Sequence, residues 1–408
     1  MFTIYLMNKI IFVLLDGAAG RPCKSLGGKT SLEAAHTPVI DSLFHNSVNG
    51  LMHVVGPSIA PQSDVACFAT LGYNPFNVPS RGVIEVIGAG LEYVDGELAM
   101  RCNITSVKGD KLTGVRITHL SKDQGLDIER LINEGVSLDV PFTFKHTVGY
   151  RGVLILHEQL SDKVTNTHPG YIRERLGSEL VSYAEKLGNN VKIKMCKPLA
   201  GDAVRSAELI NDFTIQANEV LSGCGIIDEY GNEANYILIR GAGSSLPFLK
   251  SFQEVYGLKA GLIAEMPVEL GVAELLGLGV IKEFESFSDL SRMVFDSLQE
   301  YDLIYAHIKG PDKYGHLGDA HGKVREIERI DSEFLKPLID KVDLSNTLIC
   351  VTSDHATPAC FGSHTSDPVP YLITNGEHTS GHFFEQSVKQ TFIEGKELMS
   401  KIIDLARI

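Results

Sequence analysis

The chain has 408 residues, 44% of them hydrophobic and 22% charged, which suits two domains and a sizeable buried core. Its formal charge of −14 argues against nucleic acid or an anionic membrane as partner, because phosphate contacts need clustered Lys and Arg. A small anionic substrate stays compatible, provided that metal ions and a few arginines make one cleft locally positive.

The opening stretch MFTIYLMNKIIFVLL is interrupted by Asn8 and Lys9 and runs into Asp16-Gly17. It therefore reads as a first core strand, Ile10–Leu15, rather than a secretion signal. No run reaches the ~18 apolar residues that a membrane span needs. A Gly-rich loop, Gly17–Gly28, leads to a helix opened by Thr30 with Glu33 three residues on, a capping-box pattern. Thr37-Pro38 precedes another helical run, Val39–Phe44. The segment GPSIAPQSDVACFATLG starts as a Pro-rich loop and turns helical at Asp64, which puts Ser63 at or near a helix N-terminus.

From about Tyr93 to Ala234 the pattern changes to shorter strands (Leu98–Val107, His146–Leu156) and amphipathic helices (Ile172–Leu187, Asp202–Ala217). This reads as a domain inserted into the first. The α/β pattern then returns with strand Tyr236–Arg240, helix Leu246–Tyr256, strand Ala260–Ala264 and helix Val268–Leu276. The expected division is a core made of 1–94 and 235–408, with 95–234 as the insertion.

Three short apolar runs end in residues that bind hard divalent metals. Ile10–Leu15 meets Asp16; Leu303–Ile308 meets KGPD, with Asp312 followed by His316; Thr347–Ser353 meets Asp354-His355, with His364 beyond. Such runs read as buried strands of a mainly parallel sheet. Ligands collect at the carboxyl ends of strands in open α/β sheets, so these groups should converge on one crevice. Asp312 and His316 lie four apart and can share a helical face. His321 and His382 are rival ligands that close no strand-end cluster. Taken singly, each residue has an ordinary alternative: turn residue for Asp16, helix cap for Asp354 or Ser63, loop histidine for His364. Jointly they predict a metalloenzyme.

Two phosphate-binding look-alikes fail. Leu26-Gly27-Gly28-Lys29-Thr30 has Cys23 where a P-loop needs its first Gly, and Gly88-Ala89-Gly90 and Gly241-Ala242-Gly243 lack the third Gly of a dinucleotide fingerprint. The seven cysteines are scattered without a CxxC pair, which fits a reducing cytoplasm.

The segments VLLDG, KTSLEAAHTP, GPSIAPQSDVACFATLGY, RGVIEVIGAG, NYILIRGAG, HIKGPDKYGH and SDHATP, in order over nearly the whole chain, resemble the archaeal type of cofactor-independent phosphoglycerate mutase. That family belongs to the alkaline-phosphatase-like superfamily. The resemblance implies an α/β fold, with a mainly parallel sheet flanked on both faces by helices and a smaller inserted α+β lid. It also implies interconversion of 3-phosphoglycerate and 2-phosphoglycerate through a phosphoserine at a two-metal site. Position by position, one metal would take Asp16, Ser63, Asp354 and His355, and the other Asp312, His316 and His364. Mn²⁺ is the metal usually implied, and Zn²⁺ or Co²⁺ suits the same donors. Two departures stand out: Gln62 replaces the small residue common before the nucleophile, and Asn166 and His168 in SDKVTNTHPG occupy positions where acids are common.

A phosphoglycerate also needs arginines for its carboxylate and phosphate. Arg240 in RGAG is the first candidate, followed by Arg151 and Arg205, whose ordinary alternative is a surface ion pair. The closest competing function is a metal-dependent phosphatase, or another phosphomutase, on the same core. A lid that excludes water would separate the mutase from the phosphatase. Metal identity, oligomeric state and physiological direction stay open at the level of sequence.

Overall fold

A computed structural model describes residues 8–114, 117, 120–176, 179–184, 191–281, 284–376 and 381–407. The chain divides into two compact units. The first runs to Val78, resumes over Leu249–Glu265 and continues from Val272; the second comprises Pro79–Phe248 with Met266–Gly271. The insertion therefore begins and ends farther out than 95–234.

The first unit is built on an eight-stranded sheet, in the order Gly279–Ile281, Ala260–Ile263, Leu303–Ile308, Lys9–Leu15, Thr347–Thr352, Val369–Thr374, Val48–His53, Phe392–Glu394. The first five are mutually parallel; Val369–Thr374 runs antiparallel to both its neighbours, and Phe392–Glu394 is parallel to Val48–His53. The three central strands are buried along almost their whole length, which is why their sequences are continuous apolar runs without alternation. Helices flank the sheet: Gly395–Ala406 packs on Thr347–Thr352, Phe287–Ser297 on Leu303–Ile308 and Pro38–Phe44 on Val369–Thr374. Thr30 caps its short helix by accepting the Glu33 amide, as the sequence pattern suggests. No helix among the described residues is long and apolar enough to cross a membrane.

In the second unit the strand Glu97–Lys108 pairs antiparallel with Arg151–Gln159, Tyr236–Gly243 and Lys111–Gly114, and Phe142–His146 adds to Arg151–Gln159. Leu98, Met100, Cys102 and Ile104 face a core shared with Ile128, Phe144 and Phe213. Ala99 on the opposite face packs with Val83, Val86, Val153 and Ile155, so the helix Arg81–Gly88 covers that side. Both faces are buried, and this explains the boundary: helix 81–88 and strand 236–243 belong to the insertion's own core. Gly88 and Gly271 let two helices touch, since a Cβ on Gly88 would lie 1.8 Å from the Pro267 oxygen and one on Gly271 1.9 Å from the Ile84 oxygen. That contact carries Met266–Gly271 into the second unit.

Three sequence expectations fail here. His146–Leu156 is two strands, Phe142–His146 and Arg151–Gln159, joined through Gly149 in the left-handed region. The expected helix Ile172–Leu187 is, over the described residues, a two-stranded antiparallel pair, Tyr171–Leu176 with Glu179–Ala184; residues 185–187 lie outside the described residues. The Gly177-Ser178 dipeptide between the two runs is a hairpin signal that outweighs the apparent helical spacing. Leu246–Tyr256 is helical only over Phe252–Tyr256, after a capping box at Ser251.

Candidate metal centre

Sheet register assembles the centre. Leu15 pairs with Ile308, and Leu14 with both His307 and Thr352, so the next residues out, Asp16, Lys309 and Asp354, emerge side by side at the carboxyl edge. The Asp16 amide donates to the Ile308 carbonyl at 3.0 Å, and Asp312 N–H donates back to the Asp16 carbonyl at 3.0 Å. Gly17 turns the chain with φ +61°, and a Cβ there would lie 2.8 Å from Asp312 and from Thr357 Oγ1. Its amide donates to Asp354 Oδ1 at 2.9 Å. Only glycine meets both demands.

The donors fall into two clusters, and His307 lies close enough to Asp16 and Asp354 to share an ion with them. In the first, His355 Nε2 lies 3.3 Å from Asp16 Oδ1 and 3.2 Å from Asp354 Oδ2. In the second, Asp312 Oδ2 lies 3.4 Å from His316 Nε2, and Asp312 Oδ1 lies 3.5 Å from His364 Nε2. The His355 and His364 rings stack at 3.7 Å, which brings the groups together. Each imidazole has its other nitrogen committed. His316 Nδ1 donates to the Gly362 carbonyl at 3.1 Å and His364 Nδ1 to the Pro61 carbonyl at 2.7 Å. Thr357 Oγ1 donates to Asp312 Oδ1 at 2.7 Å, so it must accept from His355 Nδ1 at 2.9 Å. All three Nε2 atoms are thereby left facing carboxylates, the orientation that metal-ligating histidines take from their outer hydrogen bonds.

The donors fit a divalent cation. Asp16 Oδ1, Asp354 Oδ2 and His355 Nε2 are buried and without a hydrogen-bond partner, yet they point at one another. Burial alone would lower the His355 pKa, but Asp354, Asp16 and Asp312 raise it to about 10. The same negative potential would hold a metal. Burial also works against ionised Asp16, and Lys309 and His355 more than offset it, keeping that carboxyl well below its ordinary range. Asp312 is likewise lowered, by His364 and His355, against burial and neighbouring Asp16.

Ser63 is the first residue of helix Ser63–Thr70, after Gln62, so the expected helix N-terminus is present. Two links tie this helix start to the donors. The Pro61 carbonyl holds His364, and Cys67, one turn after Ser63, has its Sγ 3.7 Å from His307 Nδ1. The rivals stand apart: His382 is bound to Asp41 and to the Glu33 carbonyl, and His321 joins no donor group among the described residues.

Several residues at the centre escape sequence reasoning. His307 and Lys309 sit beside Asp354 and Asp16. Thr357 joins the two donor groups. Buried Lys323 donates to the Ala19 and Thr357 carbonyls, 2.9 Å each, and so ties the loop after Asp16 to the loop after His355. Lys309 and Thr357 lie inside HIKGPD and SDHATP, so the motifs carried them without marking their roles.

The second unit holds a separate cationic cluster. Arg240, buried, pairs in register with Arg101 and stacks its guanidinium 3.8 Å over the Tyr171 ring. Burial, with Arg81 and Arg101 nearby, lowers its pKa to about 10. Glu85 accepts from Arg81 at 2.6 Å and from Arg101; burial would raise this carboxyl, but the two arginines bring it down to about 2. Arg151 lies in the same field, lowered by burial and by Arg101 and Arg81. Arg205 does not join them: it lies at the surface, where Glu158 accepts from it at 2.6 Å and Asp139 at 3.1 Å. Asn166 is committed to the backbone, accepting from Gly241 N–H and donating to the Tyr171 carbonyl, 3.0 Å each. His168 packs edge-on against Tyr171.

The sequence matches the metalloenzyme superfamily over residues 8–404. It is 36% identical to the 2,3-bisphosphoglycerate-independent phosphoglycerate mutase of Aeropyrum pernix, covering 97% of this chain and 99% of that one. The chain belongs to the 2,3-bisphosphoglycerate-independent phosphoglycerate mutase family. Solved structures agree at the level of fold. A Pyrococcus horikoshii protein, PH0037, superposes with a TM-score of 0.77 at 24% identity, covering 99% of this chain and 98% of its own. The cofactor-independent phosphoglycerate mutase of Thermoplasma acidophilum gives 0.60 at 24% identity, covering 98% of this chain and all of its own. Membership of the mutase family makes a metal-dependent α/β enzyme of this chain, and its donor clusters suit a divalent cation.

Proposed function

We propose that this protein interconverts 3-phosphoglycerate and 2-phosphoglycerate without bisphosphoglycerate, through a phosphoserine at Ser63. The observation that carries the reading is the convergence of three unpartnered buried atoms, on Asp16, Asp354 and His355, beside the Asp312–His316–His364 group. Asp16, Asp354 and His355, with Ser63, would hold one divalent ion and Asp312, His316 and His364 the other; Mn²⁺ is favoured, with Zn²⁺ or Co²⁺ suited to the same donors. Two such ions would supply charge neutralisation at the phosphoryl oxygens and would lower the pKa of the serine hydroxyl.

The chain's own residues do the rest. Ser63 Oγ forms the new bond to phosphorus as the glycerate oxygen leaves, and the start of helix Ser63–Thr70 favours the anionic phosphoryl group there. The departing oxygen takes a proton, and in the return step the other glycerate hydroxyl loses one and takes the phosphate back. Asn166, whose amide is spent on the backbone, is not the group that moves those protons. Arg240, Arg81, Arg101 and Arg151 form the cluster that recognises the glycerate carboxylate, and Arg205 takes no part. The inserted unit acts as the lid that keeps water from the phosphoserine. The free cysteines support a cytoplasmic setting.

The test incubates metal-stripped protein with 3-phosphoglycerate and Mn²⁺, with no bisphosphoglycerate, and follows 2-phosphoglycerate and free phosphate together. Mn²⁺-dependent 2-phosphoglycerate with little phosphate is expected. Free phosphate alone would make the protein a phosphatase on the same core.

A further inference from the structure

His307 and Lys309, two apart at the end of the Leu303–Ile308 strand, both reach the first donor group, and His307 lies close enough to Asp16 and Asp354 to share an ion with them. His307 is buried between the Ser63 helix and the aspartates. Its Nδ1 lies 3.7 Å from Cys67 Sγ, and its Nε2 lies 3.4 Å from Lys309 Nζ and 3.7 Å from Asp354 Oδ2. An ammonium can only donate, so His307 Nε2 accepts from Lys309, and the ring proton sits on Nδ1 toward the sulfur. The His307 lone pair is thus occupied, unlike that of His355. Lys309 therefore competes with an ion for the His307 nitrogen that faces Asp354.

Lys309 Nζ in turn reaches Asp16 Oδ2 at 2.9 Å. The other oxygen of the same carboxylate, Oδ1, is the unpartnered atom that faces His355 Nε2. One carboxylate is therefore divided, with one oxygen given to an ammonium and the other to the metal pocket.

We propose that Lys309, aimed by His307, is a positioning residue that limits Asp16 to one metal-facing oxygen and offsets one negative charge of the pocket. The inference rests on the reading that Asp16, Asp354 and His355 hold a divalent cation. A carboxylate with both oxygens free can chelate a cation and fill a position that Ser63 and the substrate phosphate need. Lys309 withholds that second oxygen. It also leaves the aspartate pair with a net charge nearer −1 than −2, so the ion is held less tightly and keeps more charge for Ser63. Lys309 thus trades metal affinity for reactivity. The Cys67 contact sets the same device against the helix that starts at Ser63.

The experiment titrates the full-length protein with Mn²⁺, reading free Mn²⁺ by electron paramagnetic resonance at low ionic strength. Wild type, Lys309→Met and Lys309→Arg are compared, with thermal melts confirming that each is folded. Lys309→Met should bind Mn²⁺ about tenfold more tightly or better, because a nearby positive charge has gone. Its kcat should fall by about a hundredfold or more, with little change in KM for 3-phosphoglycerate. Lys309→Arg should bind Mn²⁺ within about threefold of wild type, since the charge is kept. If Lys309→Met does not fold, His307→Asn carries the comparison, with an affinity above wild type expected. A Lys309→Met protein, or in its place His307→Asn, that binds Mn²⁺ no more tightly than wild type overturns the proposal. Wild type that binds no Mn²⁺ overturns the metal reading beneath it as well.

Discussion

Thr357 is one hydroxyl serving two donor groups: it accepts from His355 Nδ1 and donates to Asp312 Oδ1. Replacement by valine keeps the shape and removes both bonds. Outer hydrogen bonds of this kind are commonly worth about 10–100-fold in metal affinity. Thr357→Val should therefore bind Mn²⁺ at least about tenfold more weakly by calorimetric titration, the opposite sign to Lys309→Met. Glu85 gives a pH-dependent test in the second unit. Its folded pKa, about 2, is below the ordinary 4.5, so its stabilisation is complete above pH 4.5 and is lost as pH falls toward 2. Full protonation would remove roughly 3 kcal/mol. Denaturation of Glu85→Gln at pH 7 should show a deficit of that order, shrinking when both proteins are compared near pH 3. At this scale the sequence is legible where a chemical group ends an apolar run, as at Asp16, Asp312 and Asp354. It is opaque at His307, which sits inside such a run and is placed beside Asp354 only by strand register.

Elements carry the centre through caps and contacts that cross the chain. Helix Pro38–Phe44 has no cap from its own Thr37 side chain. Instead Asp331, in a π-helical turn at Ile330–Leu335, accepts the Val39 and Ile40 amides at 3.2 and 2.8 Å. Asp331→Ala should cost about 1–2 kcal/mol in chemical denaturation, the usual worth of a helix cap. The sequence cannot show such a cap, because the donors and the acceptor lie almost 300 positions apart. Local signals were legible when the chemistry was local. The Thr30 half of the capping-box pattern and the strand before Asp16 both form. The Tyr171–Ala184 region departs from its helical expectation because apolar residues four apart mimic a helix, while each strand of the pair is only six residues long.

At the scale of the molecule, a chain of net charge −14 groups four arginines, Arg81, Arg101, Arg151 and Arg240, in one unit and gathers its metal-type donors in the other. The division was visible as a change of pattern near Tyr93 and Ala234. The compact units divide after Val78 and Phe248, positions that follow from a core buried on both faces of strand Glu97–Lys108, which no local pattern marks. The account's central claim is that phosphate passes through Ser63 on its way between the glycerate oxygens. The most direct measurement is an acid quench of protein turning over 3-phosphoglycerate with a radiolabelled phosphate, followed by peptide mapping. The account predicts an acid-stable label on the peptide containing Ser63, absent from Ser63→Ala, whose turnover should be abolished. Turnover with no label on Ser63, or with a Ser63→Ala protein that still forms 2-phosphoglycerate at a near-normal rate, would contradict it.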